Sequence, residues 1–206
     1  MPDSSTSKPS QVELVASERL SDGYCKLDRL TLRHERFEGG MSTEVTREVI
    51  ERGRAVGVLL YDPDLDRCVM IEQFRPGSWL AEVDPWELEI VAGMIEAGET
   101  PEAVCQREVE EETGLAVHDL FRALHYVVNP GICTETVTFY VGRVNSERAG
   151  GIHGCKDEGE DIRVKTMTVD ELRWAIETGK AKNSLALIAI QWLLLNHTQL
   201  RRRWAA

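Results

Sequence analysis

The stretch from Gly93 to Leu115, GMIEAGETPEAVCQREVEEETGL, holds the most concentrated candidate chemistry in the chain. On a helix, Glu108, Glu111 and Glu112 fall within an arc of roughly 100°. Like charges so placed repel by a few tenths of a kcal/mol per pair. A bland surface helix would interleave basic residues there. Ala103, Val104, Cys105 and Val109 do not form one clean apolar stripe, so amphipathic packing does not explain the whole pattern. A divalent cation does. Magnesium takes oxygen ligands, often a few carboxylates plus substrate phosphates. Several carboxylates can hold two or more such ions, which neutralise phosphate charge and activate water. Arg107, four residues before Glu111, can pair with it and orient the cluster. The plain alternative is a solvated acidic face, the usual meaning of a charge run by itself.

For these acids to converge, the helix needs defined ends and a frame. Thr100 can cap it, Pro101 suits its first turn, and Gly114 can end it. Before it the chain reads as strands: Thr43 to Ile50, Ala55 to Leu60, Cys68 to Phe74, and Trp86 to Val91. Tyr61-Asp62-Pro63-Asp64 is a turn signal. After it come strands near Leu120 to Val128, Val137 to Val144 and Ile162 to Met167. Thr168-Val169-Asp170-Glu171 has a capping-box pattern, and helices are expected over Val169 to Thr178 and Ser184 to Gln199. Residues 145 to 160 read as a glycine-rich loop ending in Glu158 and Glu160. Such a loop suits a mobile lid that delivers a carboxylate. This irregular order predicts α+β, or α/β with a mixed sheet, rather than a doubly wound parallel sheet.

The chain has 206 residues, enough for one core with a small annex. Its 35 acidic residues against 24 basic ones give a net charge of -11, which argues against a nucleic-acid-coating protein. The N-terminus lacks the apolar stretch of a signal peptide, and residues 1–20 are expected to be a flexible tail. The most apolar segment, Leu185 to Leu195, is too short for a membrane span. Five scattered cysteines without a C-x-x-C pair signal neither disulfides nor zinc, so a reducing cytoplasm is the expected setting. The five histidines share no metal-ligand spacing, and no G-x-S-x-G supports serine chemistry.

Gly93, Glu99, Arg107, Glu108, Val109, Glu111, Glu112, Gly114 and Leu115 fit G-x5-E-x7-R-E-U-x-E-E-x-G-U, where U is bulky and apolar. A chance match is on the order of one in a hundred million at average residue usage. The segment is identified as the box of the Nudix hydrolases. That resemblance implies an α/β/α sandwich with a mixed sheet, the box forming loop-helix-loop. It also implies magnesium- or manganese-dependent hydrolysis of a nucleoside diphosphate linked to another group. Pro130, sixteen residues after Gly114, resembles the marker of the family's ADP-ribose pyrophosphatases. The bacterial ones are also resembled in Glu72-Gln73-Phe74-Arg75-Pro76, Glu89-Ile90-Val91-Ala92-Gly93-Met94, Gly151-Ile152-His153-Gly154, and Asp157 to Arg163. The implied reaction releases AMP and ribose 5-phosphate.

By the same resemblance, Glu108, Glu112, Glu160 and the Ala92 carbonyl are metal ligands. Glu158 is the general base, with Glu111 as the alternative, since other branches of the family place the base inside the box. Arg75 and Arg52 are substrate contacts, as are Met94 and Glu135. Residues 21–53 form a strand region, carrying Arg47 and Glu48, that crosses to a partner in a homodimer and completes its site. Tyr24 is the aromatic candidate for the adenine there, although core packing would explain a strand tyrosine equally well. Residues 54–206 form the Nudix domain. Gly131-Ile132-Cys133-Thr134 departs from the small Gly/Ser-rich turn of the pattern. Another nucleoside diphosphate sugar or a dinucleotide is the second substrate reading. A non-catalytic nucleotide sensor is the rival of another class, disfavoured by the intact Arg107-Glu108-Glu111-Glu112 set. An EF-hand fails on spacing.

Overall fold

Every residue of the strand Arg54–Asp62 after its first is buried, the mark of a strand covered on both faces. The computed structural model describes residues 11–204, apart from the Glu158 side chain, and this strand is central to it. The chain clusters into two compact units. One comprises the described residues up to Gly53 with Val127–Glu135, and the other Arg54–Tyr126 with Thr136 to Trp204.

The first unit is a three-stranded antiparallel sheet, β1 (Val12–Asp22), β2 (Lys26–His34) and β3 (Val45–Glu51), in that order. The expected tail is therefore corrected over Val12 to Leu20, which is strand. Its sequence mixes charge with apolar residues, so it offers no buried run to read. Residues 1–10 lie outside the described ones. Tyr24 is also relocated, from a strand to the bend joining β1 and β2.

The second unit is built on an eight-stranded mixed sheet. Its strands are β4 (Arg54–Asp62), β5 (Arg67–Phe74), β6 (Trp86–Glu89), β7 (Val91–Met94), β8 (Asp119–Val127), β9 (Thr136–Arg143), β10 (Ile152–His153) and β11 (Ile162–Thr168). The main path runs β10-β11-β5-β4-β9-β8. β4 and β9 are parallel, while β4–β5, β4–β7, β5–β6, β5–β11 and β10–β11 are antiparallel. The β4–β5 ladder holds only from Leu60/Val69 to Asp62/Arg67. Beyond it, β4 takes β7 as its partner at Ala55 to Val58, and β5 takes β6 at Ile71 to Phe74. Trp86 to Val91, expected as one strand, is thus divided between two partners.

Alternation assigns the two faces. Val56, Val58 and Leu60 pack with Val104, Cys105 and Val109 of helix α2 (Pro101–Thr113). Leu59 and Tyr61 pack with Leu172 and Ala175 of α3 (Val169–Glu177) and with Ala186, Ala189, Ile190 and Leu193 of α4 (Ser184–Trp204). Helices cover both faces, giving the expected α/β/α sandwich. A short helix, α1 (Pro76–Leu80), was not foreseen. Among the described residues no helix is long and apolar enough to cross a membrane.

Candidate functional site

Helix α2 has the ends its sequence dictates. Thr100 accepts from the Ala103 N–H, Pro101 opens the first turn, and Gly114 closes the helix in the left-handed region at φ 68°. The helix is fixed through Val104, Cys105 and Val109, which are fully buried. The same burial carries two acids inward. Glu112 is 4% exposed, and the Glu108 side chain only 14%. Glu111 stays half-exposed.

Arg107 is the hub of the exposed flank. Its guanidinium reaches Glu111 at 3.2 Å, as the four-residue spacing implies, and also Glu108 at 2.8 Å and Glu99 at 3.4 Å. Glu99 in turn accepts from the Glu96 N–H at 2.9 Å, which ties the loop before the helix to the box. Gly93, on β7, lies so close that a Cβ there would fall inside the Glu108 carboxylate. Glycine at the box's first position is thus a packing requirement. Ala92 pairs with Gly57 on β4, and Met94 pairs with Ala55; both are half-buried.

The inner acids are poorly neutralised. Burial pushes the Glu108 carboxyl up to about 7, against the pull of Arg107, while Glu111 and Glu160 add to the rise. Burial, then the Glu108 and Glu160 charges, push Glu112 up to about 9. Glu112 Oε2 is buried and has no hydrogen-bond partner among the described residues. Glu160 comes from the loop between β10 and β11. It accepts from the Cys155 N–H at 2.9 Å and from Gln73 Nε2 at 3.5 Å. Arg75 stands by these acids. Burial opposes its charge, but Glu89, then Glu112 and Glu160, hold it more firmly protonated. Glu89 grips it as a fork, Nε to Oε1 at 3.0 Å and Nη2 to Oε2 at 2.6 Å. Glu158 lies in a 3-10 turn, Lys156–Glu158, and its side chain is outside the described residues.

The structure therefore brings Glu108, Glu112, Glu160 and Arg75 into one electrostatic cluster. Among the described residues no three His, Cys, Asp or Glu side chains stand as a ready-made cage for an ion. The donor set nevertheless fits a hard cation. It supplies buried carboxylates that repel one another, one of them with an oxygen lacking a partner. Glu89 and Gln73 were not foreseen. A charged residue inside the apolar run Leu88 to Val91 was the available signal for Glu89, because a buried charge demands a partner.

The remaining candidates lie in the first unit. Arg52 stacks over the Tyr24 ring at 5.1 Å and contacts Cys25. Its backbone N–H donates to Thr134 Oγ1, and its charge is supported by Tyr24 first and also by Glu135. Glu135 donates its N–H to Cys133 Sγ. Tyr24 is 88% exposed, which excludes the core-packing account of this tyrosine within its unit. Arg47 and Glu48 sit on β3 without joining this group. Arg47 donates to the Thr46 carbonyl, and Glu48 pairs with Arg29 at 3.0 Å.

Known proteins share both sequence and fold with this chain. Residues 51–187 match the NUDIX domain. Over 194 residues the chain is 44% identical to the ADP-ribose pyrophosphatase of Escherichia coli strain K12, covering 94% of this chain and 93% of that one. The GDP-mannose pyrophosphatase of Enterobacter sp. strain 638 is 31% identical over 188 residues, covering 90% and 96%. An ADP compounds hydrolase of known crystal structure superposes with a TM-score of 0.72 at 16% identity, covering 94% of this chain and 98% of that one, a likeness of fold. With the box intact on α2 and the sandwich formed around it, the chain belongs to the Nudix family.

Proposed function

We propose that this chain hydrolyses the pyrophosphate bond of ADP-ribose, releasing AMP and ribose 5-phosphate, with magnesium or manganese as cofactor. One observation carries the reading. Glu112 and Glu108 are buried side by side with too little positive charge to balance them, and the arginine next to them, Arg75, is already paired with Glu89. Nothing in folding alone rewards that arrangement. The ADP-ribose pyrophosphatases of E. coli and Haemophilus influenzae, 44% and 40% identical, support the substrate.

In this reading Glu108, Glu112, Glu160 and the Ala92 carbonyl hold the metal. When bound, it neutralises diphosphate charge and makes water more acidic. Arg75, pre-aimed by Glu89, offers paired donors to a phosphate. Glu158 takes the proton of the attacking water, with Glu111 as the alternative base. The loop that follows β10 delivers Glu158 and Glu160 together. Met94 borders the substrate from β7. Tyr24 faces the adenine, and Arg52, Glu135, Arg47 and Glu48 are further substrate contacts, in a homodimer where residues 21–53 of one subunit complete the site of the other. The setting is the cytoplasm.

The test is product analysis after incubation of ADP-ribose and GDP-mannose with the protein and magnesium in 18O-labelled water. AMP and ribose 5-phosphate, with label on one phosphate, are expected from ADP-ribose. Preferential cleavage of GDP-mannose would replace the substrate. Cleavage of neither, nor of any other nucleoside diphosphate derivative, would leave a nucleotide-binding Nudix protein.

A further inference from the structure

The Gly151–Gly154 motif plays no part in the chemistry above, yet it sits at the foot of the acidic loop. β10 is two residues long, with Ile152 opposite Arg163 and His153 opposite Ile162. So short a ladder is marginal by itself. Residues 154–161, which span its open end, carry both Glu158 and Glu160.

Other contacts tie this foot to the end of the box helix. The Gly154 N–H donates to the Glu111 carbonyl at 3.2 Å. That carbonyl belongs to the last turn of α2, where the helix cannot satisfy it internally. The His153 ring lies against Gly114, so that a Cβ there would come within 2.9 Å of Cε1. His153 Nε2 donates to the Gly150 carbonyl at 2.8 Å, which holds the ring across the entry to the loop. Gly154, at φ 100°, leaves room for the acid beyond it, since a Cβ there would meet Glu160 Cβ at 2.7 Å. Glu160 then folds back to accept from the Cys155 N–H.

We propose that His153 is a positioning residue: seated on Gly114, its ring clamps the foot of the acidic loop to the helix bearing Glu108 and Glu112, and so sets Glu160 beside them. Gly114 serves twice, as the left-handed helix cap and as the seat for the ring. His153 acts through Glu160 and touches neither substrate nor cation. The inference rests on Glu160 being a metal ligand of the proposed hydrolase.

The experiment compares His153→Ala, His153→Phe, Glu160→Gln and the double variant H153A/E160Q as full chains. It measures Tm, kcat and KM on ADP-ribose, and Mn2+ affinity by electron paramagnetic resonance. His153→Ala is expected to lower kcat about tenfold or more with KM changed less than about threefold, and to weaken Mn2+ binding about tenfold. The double variant is expected to be no worse than Glu160→Gln, because the two residues act as one unit. His153→Phe keeps the ring and is expected to keep more Mn2+ affinity than His153→Ala. It carries the test if the alanine variant does not fold. Wild-type kcat and Mn2+ affinity in His153→Ala would overturn the proposal. So would effects that multiply in the double variant, or a kcat loss that follows Tm with Mn2+ affinity intact. If the wild type leaves ADP-ribose whole, the substrate reading fails, while the Mn2+ arm still decides the role of His153.

Discussion

The three-stranded sheet and the box helix use the same residue types in opposite ways. On the sheet, acids and arginines pair at the surface, mostly across strands. Arg19 reaches Asp22, Asp28 and Glu51, Arg29 reaches Glu18 and Glu48, and Arg33 reaches Glu13. In the box, Glu99, Glu108 and Glu111 converge on the single cation Arg107, and Glu112 and Glu160 stand near an Arg75 already gripped by Glu89. The sheet acids, apart from the half-buried Asp28, are exposed and help hold strands in register. In the box, Glu108 and Glu112 are buried, where repulsion is least screened. An arrangement that works against folding and yet is built into a capped, well-packed helix points to something outside the chain that relieves it.

The contrast is broken or sharpened most strongly at Glu112. Glu112→Gln keeps the shape and removes the charge. Metal-activated kcat should fall about 1000-fold, since a ligand and its charge are lost together. The Tm of the EDTA-treated protein at neutral pH should rise by several degrees, because glutamine is neutral without the proton that folding forces onto Glu112. A lower Tm without metal would mean that Glu112 is structural, like the acids of the sheet. Next in size is Arg75→Lys. Lysine keeps the charge but loses the fork to Glu89, so kcat/KM should drop about 10- to 100-fold. A variant with unchanged kcat/KM would reduce Arg75 to a counter-ion.

How far the sequence discloses these two regions follows from the physics of each. The box helix is legible to the residue because its ends rest on local chemistry: a threonine cap, a proline in the first turn, and a glycine at positive φ. The central strands are legible because Val56 to Leu60 and Val69 to Ile71 are apolar runs. β1 is not, because Val12–Asp22 is almost wholly exposed in its unit and is held by backbone pairing and cross-strand ion pairs that no periodicity announces. In the site, the acids and Arg75 are legible through the motif that contains them. Glu89 and Gln73 are not, because their role depends on β5 and β6 becoming neighbours, a long-range event.

A third test uses pH. Glu108 and Glu112 have native values of about 7 and about 9 against an ordinary 4.5. Between pH 4.5 and those values the folded chain binds more protons than the unfolded one, so metal-free stability falls as pH rises through that window. A drop in Tm of about 5 °C between pH 5 and pH 8.5 is expected in EDTA. Saturating magnesium should flatten it, because the cation takes the place of the protons. A metal-free Tm that climbs over this range would show that the box acids are paired after all.

The smallest effect is expected on the sheet. Arg19→Ala removes the partner of Asp22, Asp28 and Glu51 at once, as many ion pairs as Arg107 makes in the box. Its side chain is solvated, however, and each acid it leaves behind is free to turn to water. The change in Tm should stay within about 2 °C and shrink further in 0.5 M salt, with kcat on ADP-ribose unchanged. A larger loss would mean that the sheet is buttressed by charge rather than by its ladders. Pair counting would then rank Arg19 above Glu112, whereas burial and unmet charge rank Glu112 first.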